Sequence, residues 1–245
     1  MTDQPSRDVS AIDVRPFASL GAADHGWLDA RHHFSFGAYR DPKRMGWGNI
    51  LVWNDDQIAP NTGFPPHPHS DMEIITYVRS GAITHEDSMG NKGRTKGGDV
   101  QVMSAASGIR HAEHNAEAEP TTLFQIWIEP TSRGGAPSWG AKPFPKGDRA
   151  GRWSVLASGF GDVSQEDRDA LPIRTDARVL GATLKAGGVL RYEVGAGRHA
   201  YLVPALGRLD VDGTTVNVRD GVALGGGSYT IRALEEAEIV LVDAA

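Results

Sequence analysis

Short runs of apolar and β-branched residues recur along the chain, each closed by glycine, proline or a polar cluster. Asn49–Trp53 (NILVW), Glu73–Val78 (EIITYV), Asp99–Met103 (DVQVM), Thr122–Ile128 (TLFQIWI), Arg178–Leu184 (RVLGATL), His199–Val203 (HAYLV) and Ile239–Val242 (IVLV) all have strand length. Turn signals separate them at roughly the 8–12-residue spacing of sandwiches and barrels. Asp212-Gly213, between RLDV and TTVNV, is a hairpin signal. Helical periodicity is scarce. Only Ser164–Leu171 (SQEDRDAL) offers a capping serine followed by acidic residues in a first turn. The pattern predicts an all-β chain.

Residues 131–152 are rich in glycine and proline and carry no periodicity. They read as a connection between two β domains, 11–130 and 153–245, with residues 1–10 a polar N-terminal tail. The two halves echo each other. EIITYVRSGAITHED from Glu73 and HAYLVPALGRLDVDG from His199 share an apolar run, a glycine, a second apolar run and an acidic turn. The same offset sets Glu193 and Gly195 opposite His67 and His69, so the second half keeps the strand rhythm without the histidines.

Composition removes several classes of function. The chain of 245 residues has no cysteine, which excludes disulfides, thiolate metal sites and cysteine nucleophiles. A net charge of −6 with no basic cluster argues against direct contact with nucleic acid. The apolar runs are too short to cross a membrane as helices, and the polar start, MTDQPSRDVSAIDV, lacks the core of a signal peptide. A cytoplasmic protein is expected. Any metal must be held by His, Asp or Glu.

Histidine carries the chemistry. Four of the nine fall in two tight groups, His67-Pro68-His69 and His111-Ala112-Glu113-His114. Positions i and i+2 of a strand share a face. His67 with His69, and His111 with Glu113, therefore form two presenting pairs, and neighbouring strands would bring three imidazoles and one carboxylate to a point. That set suits one divalent transition metal, with Fe, Mn, Co, Ni, Cu and Zn all compatible. Phe64-Pro65-Pro66 and Pro68 keep the first pair extended, and Gly108 supplies a turn before the second. His114 should face away. His25, His32, His33, His85 and His199 lack partners at ligand spacing and read as structural or exposed. Glu73 follows His69 by four residues, on the same face by period two but ~13 Å further along. It reads as an acceptor orienting an imidazole rather than as a ligand.

These residues resemble the cupin motifs: Gly63, His67, His69, Glu73 and Gly81 match the first, and Gly108, His111 and Asn115 the second. The chain more closely resembles the pirin family, and within it the bacterial pirin-like proteins associated with quercetin 2,3-dioxygenase activity. The carrying segments are GWLDARHHFSFGAYRDP (26–42), HPHSDMEIITYV (67–78), HEDSMGNKG (85–93), MSAASGIRHAEHN (103–115) and FQIWIEP (124–130). The resemblance is dense over residues 25–130 and looser beyond. It implies a bicupin, two β-barrels face to face, with metal only in the first, held by His67, His69, His111 and Glu113, and iron as the favoured metal. It further implies a dioxygenase that opens a flavonol such as quercetin with O2 and releases carbon monoxide. In that reading Glu113, or alternatively Glu73, takes the substrate proton, and Phe34, Phe36 and Phe64 are the nearest aromatics to pack its rings. The alternative is a non-catalytic regulatory or redox-sensing metal protein that binds a protein partner. A monomer is expected in either case.

Overall fold

The computed structural model describes residues 12–161 and 163–245; the expected tail, 1–10, lies outside them. The seven apolar runs lie in the strands Ile50–Ile58, Glu73–Ser80, Val100–Ser104, Thr121–Ile128, Ala177–Leu184, His199–Leu206 and Ala237–Ala244. Asp212 and Gly213, both with positive φ, turn the hairpin between Leu209–Val211 and Thr214–Val216. Left-handed backbone at both central positions matches the twist of a two-residue hairpin.

The strands form four sheets, a large and a small one in each half. The first large sheet runs in the order Ser138–Lys142, Val100–Ser104, Glu73–Ser80, Thr121–Ile128, Ile50–Ile58, Leu28–His32 and Gly21–Asp24. Its small partner runs Thr62–His69, Ile109–Asn115, Ala82–Asp87 and Lys92–Lys96. The second half repeats this plan. Its central strands His199–Leu206, Ala237–Ala244 and Ala177–Leu184 stand beside one another in the large sheet, and Val189–Val194 and Gly227–Ala233 pair in the small one.

The large sheets are buried on both faces, which is why their strands read as nearly continuous apolar runs. Trp53, Tyr77, Phe124 and Ile126 of the first sheet pack with Tyr201, Val203, Val240 and Val242 of the second in one shared core. On the alternate positions Ile74 and Val78 join clusters inside the first barrel. The interior of the second barrel is apolar, filled by Leu180, Leu202, Val211, Ile231 and Leu241 among others.

Two segments depart from the domain limits drawn from the sequence. The 131–152 stretch is more than a connection, because Ser138–Lys142 pairs with Val100–Ser104 at the edge of the first large sheet. Asp13–Arg15, placed with the first half, pairs with Gly221–Leu224 of the second. Edge strands need only one partner, so short segments outside the periodic runs fill them without leaving a strong pattern.

The helix predicted near 164–171 is the single turn Gln165–Asp169, where the Ser164 hydroxyl accepts from the Asp167 N–H. Asp167 also ties that turn to the second large sheet. Its carboxylate accepts from Arg178 Nε at 2.7 Å and Nη2 at 2.9 Å, and from the hydroxyls of Ser158 and Ser164 at 2.6 Å each. The Arg178 guanidinium holds this carboxyl well below the usual range, with the two serines assisting. A depressed carboxyl stabilises the fold above its ordinary pKa, and that contribution is lost as the pH falls below ~4. Asp167→Asn should therefore cost about 2 kcal/mol at pH 7 and lower Tm by roughly 5 °C. The gap between thermal melts of the two proteins should narrow progressively as pH falls from ~4 towards ~2; a gap that does not narrow over that range would mean that the ion pair is not its source.

Candidate metal centre

The strand Thr62–His69 (TGFPPHPH) holds Pro65, Pro66 and Pro68. Proline cannot donate to a sheet ladder, which confines such a strand to an edge, and it is the edge strand of the small sheet. Its one neighbour, Ile109–Asn115, pairs with it in the register His67 to His111 and His69 to Ile109. This register brings the two histidine groups side by side. Ring centroids lie 4.8 Å apart for His67–His69, 4.4 Å for His67–His111 and 5.0 Å for His69–His111. One ligand atom from each of the three falls within 4.8 Å of the others.

Gly63 permits this approach. A Cβ there would lie 2.1 Å from the Glu113 carbonyl oxygen and 2.7 Å from the His114 Cα. The register slips between His111 and Glu113, where the facing strand Thr62–His69 carries one extra residue, a bulge between Phe64 and His67. Bulges re-aim side chains locally.

Glu113 is 2% exposed and reaches a floor built by the facing sheet. Its Oε1 accepts from Gln101 Nε2 and its Oε2 from Gln125 Nε2, both at 2.8 Å, with Thr76 Oγ1 at 3.5 Å from Oε1. These donors belong to a polar row across five adjacent strands. Gln101 is opposite Thr76, Thr76 opposite Gln125, Gln125 opposite Asn54 and Asn54 opposite His32. Burial pushes the Glu113 carboxyl up to about 7, partly offset by hydrogen bonds from Thr76, Gln125 and Gln101.

A second group of candidate ligand atoms, equally close together, joins Glu113 to His111 and His85. His85 is fully buried, not the partnerless side chain its spacing suggested. Its Nε2 lies 3.0 Å from Asp87 Oδ2, its Nδ1 lies 3.4 Å from His111 Nδ1, and its ring stacks on Trp139 at 4.7 Å. With Asp87 accepting from Nε2–H, the His85 Nδ1 lone pair accepts from His111 Nδ1–H. That tautomer leaves Nε2 of His111 as a free lone pair, the usual way an outer carboxylate orients a ligating imidazole.

The donor set fits a divalent metal. His111 Nε2 is buried and has no partner among the described residues. Burial, then the neighbouring imidazoles, hold His111 down to about 3 and His69 to about 4, so both are neutral at pH 7, the form that a metal requires. His67 Nδ1 is engaged by the Pro65 carbonyl at 2.8 Å, which leaves its Nε2 free.

Other expectations need correction. Glu73 is not near an imidazole. Asp71, with φ of 48°, turns the chain between His69 and Glu73, so they belong to different sheets. The Glu73 carboxylate accepts from Ser104 Oγ at 2.5 Å and from the Arg174 backbone N–H at 3.0 Å, across to the second half. These bonds commit its carboxylate away from the imidazole cluster. Phe34 lies in the shared core against Tyr201, not at the site. His32, read as structural or exposed, is buried on Asn54 and also lines a cleft beside the cluster, and His114 is exposed.

That cleft has a volume of ≈ 440 Å³ and is walled by Trp27, Phe36, Tyr39 and Phe64, with His32, Asn54, Asp56 and Gln125 supplying polar atoms. It borders the cluster through Gln125, which binds Glu113, and through Phe64, whose ring lies 6.0 Å from that of His67.

A family described as Pirin matches residues 13–128, and one described as the quercetinase C-terminal cupin domain matches residues 163–244. A pirin-like protein of Caulobacter vibrioides is 68% identical over 96% of this chain and 100% of its own length. The chain belongs to the pirin family. Among pirin relatives, an Escherichia coli K12 protein named quercetin 2,3-dioxygenase is 36% identical over 95% of this chain and 98% of its own. The bacterial pirin YhhW of Escherichia coli, solved in complex with nickel(II), aligns with a TM-score of 0.88 at 33% identity, covering 96% of this chain and 99% of that one. The bicupin fold of the pirins is thus the fold of this chain.

The raised Glu113 carboxyl makes a signed prediction for metal-free protein. An acid whose pKa rises on folding stabilises the fold below its unfolded value and loses that contribution as pH climbs through the folded one. In chelated protein, wild type should lose roughly 3 kcal/mol relative to Glu113→Gln as pH rises from about 4.5 through 7. Urea unfolding at a series of pH values measures it. A pH-independent difference would show that the carboxyl ionises at its ordinary value.

Proposed function

We propose that this pirin is a metal-dependent dioxygenase that opens a flavonol such as quercetin, with one divalent metal held by His67, His69, His111 and Glu113. The observation that carries the reading is three convergent imidazoles beside an aromatic-walled cleft, with a buried carboxylate at hand. The resemblance to the Escherichia coli quercetin 2,3-dioxygenase supports the substrate class, and the nickel(II) complex of YhhW supports a divalent ion.

When bound, such an ion acts as a Lewis acid that acidifies the flavonol hydroxyl next to its carbonyl and brings O2 to the same site. The protein's part is to bind, orient and accept a proton. Trp27, Phe36 and Phe64 offer flat apolar surface to the fused rings, and the cleft holds the flavonol in one pose. Glu113, the one carboxylate of the proposed ligand set, is the group that would take the hydroxyl proton. Gln101 and Gln125 fix both of its oxygens, so the base is already oriented before the substrate arrives. The deprotonated flavonol then takes up both atoms of O2, its central ring opens, and one carbon leaves as carbon monoxide.

The metal is proposed to be iron(II), on the family resemblance; elemental analysis of protein purified without chelator or affinity metal identifies it. Aerobic incubation with quercetin should bleach the flavonol absorbance and release carbon monoxide. Anaerobic buffer and His67→Ala should each abolish both signals, with His67→Ala lowering bound metal as well. Full metal content without turnover of any flavonol would refute the enzymatic reading and favour a regulatory protein.

A further inference from the structure

Asp55 and Asp56 sit side by side in the strand Ile50–Ile58 and meet opposite environments. Asp55 is fully buried and paired with two guanidiniums, Arg79 and Arg219, each at 2.5 Å. Asp56 points to the other face, into the cleft. It is 2% exposed, and its Oδ1 has no hydrogen-bond partner among the described residues. Two of its polar neighbours in the cleft are already engaged through the groups that could reach it. His32 Nδ1 is bonded to Asn54 Oδ1 at 2.8 Å, and Gln125 uses its amide on Glu113 and its carbonyl on the Trp127 indole N–H at 3.1 Å. Asp56 is therefore a buried carboxyl of this cleft with bonding capacity to spare. Leaving a buried polar atom unpaired costs free energy that a well-placed ligand group recovers.

We propose that Asp56 is a specificity-determining residue that hydrogen-bonds a ring hydroxyl of a polyphenolic ligand lying in the aromatic cleft. The inference rests on the flavonol reading above and adds what selects among flavonols. No Lys or Arg lines this cleft, and the carboxyl is raised well above its ordinary value by burial, then by the charges of Asp55 and Glu113. In either protonation state a carboxyl oxygen accepts from a phenolic hydroxyl. The aromatic walls recognise the ring and Asp56 recognises its substituent, distinct from the oxygens that would meet a metal. A site built to bond a hydroxyl rejects the analogue that lacks it, because its own buried group stays unpaired.

The test compares quercetin with 3-hydroxyflavone, which keeps the chelating hydroxyl and carbonyl but lacks the other ring hydroxyls. Binding is followed by tryptophan fluorescence quenching on nickel(II)-loaded protein in anaerobic buffer. Wild type should prefer quercetin by about tenfold. Asp56→Leu should remove that preference by weakening quercetin alone, and Asp56→Asn should retain most of it. The melting temperature of ligand-free Asp56→Leu should not fall, since an unpaired polar atom has been removed. Equal loss of both ligands, or unchanged quercetin binding in Asp56→Leu, overturns the role of Asp56 and leaves the flavonol reading intact. Failure of wild type to bind either flavonol overturns that reading, and this proposal with it. Should Asp56→Leu not fold, a wild type indifferent between the two ligands is itself sufficient to reject the role.

Discussion

A carboxylate buried against two side-chain amides governs the geometry of the first barrel. An ionised carboxylate out of water is costly unless its oxygens are bonded or a cation stands nearby. Gln101 and Gln125 occupy both oxygens of Glu113, and the imidazole cluster is where a counter-charge would sit. The donors come from two strands of the large sheet and the acceptor from the small one, so these hydrogen bonds hold the sheets in a fixed lateral position. A slip of one residue in Val100–Ser104 or Thr121–Ile128 would turn its glutamine towards the shared apolar core. The polar row is therefore a register key for the sheet as well as a seat for the carboxylate. Because His111 precedes Glu113 by two residues on one strand, fixing the carboxylate also fixes the imidazole.

The two barrels share a strand order and differ in what fills them. In the second, Tyr192 and Tyr229 face each other across the small sheet, and the interior holds aliphatic side chains. Glu193, the counterpart of His67 by the internal echo, is exposed on a strand edge. One barrel contributes apolar burial, which stabilises in proportion to area. The other gives up part of that burial to a polar interior. The continuous core between the large sheets, with Trp53, Tyr77 and Tyr201 fully buried, offsets that loss on the side away from the cluster.

Much of this was legible in the chain itself. Strand length, turn residues and the alternation rule located the seven principal strands, and the convergence of His67, His69 and His111 follows from their i, i+2 spacing once the register is known. The polar row was written in the sequence without being readable. Thr76, Gln101 and Gln125 are the lone polar residues inside EIITYV, DVQVM and TLFQIWI past their first positions, yet only the pairing shows that they are neighbours. His85 and Asp87 were missed for the same reason, since their partner His111 lies on the adjacent strand. Glu73 misled because period two was carried through the turn at Asp71, where the strand ends and its faces lose their meaning.

The pairing of Asp13–Arg15 with Gly221–Leu224 has a consequence for how the chain reaches its final form. Its two segments lie far apart in the sequence, and the first carries the guanidinium of Arg15, 1% exposed against Phe34 and Tyr201. Contacts between distant parts of a chain carry the entropy of closing a long loop and form slowly. The pairing is thus a clasp between distant segments that locks the far lobe to the near one.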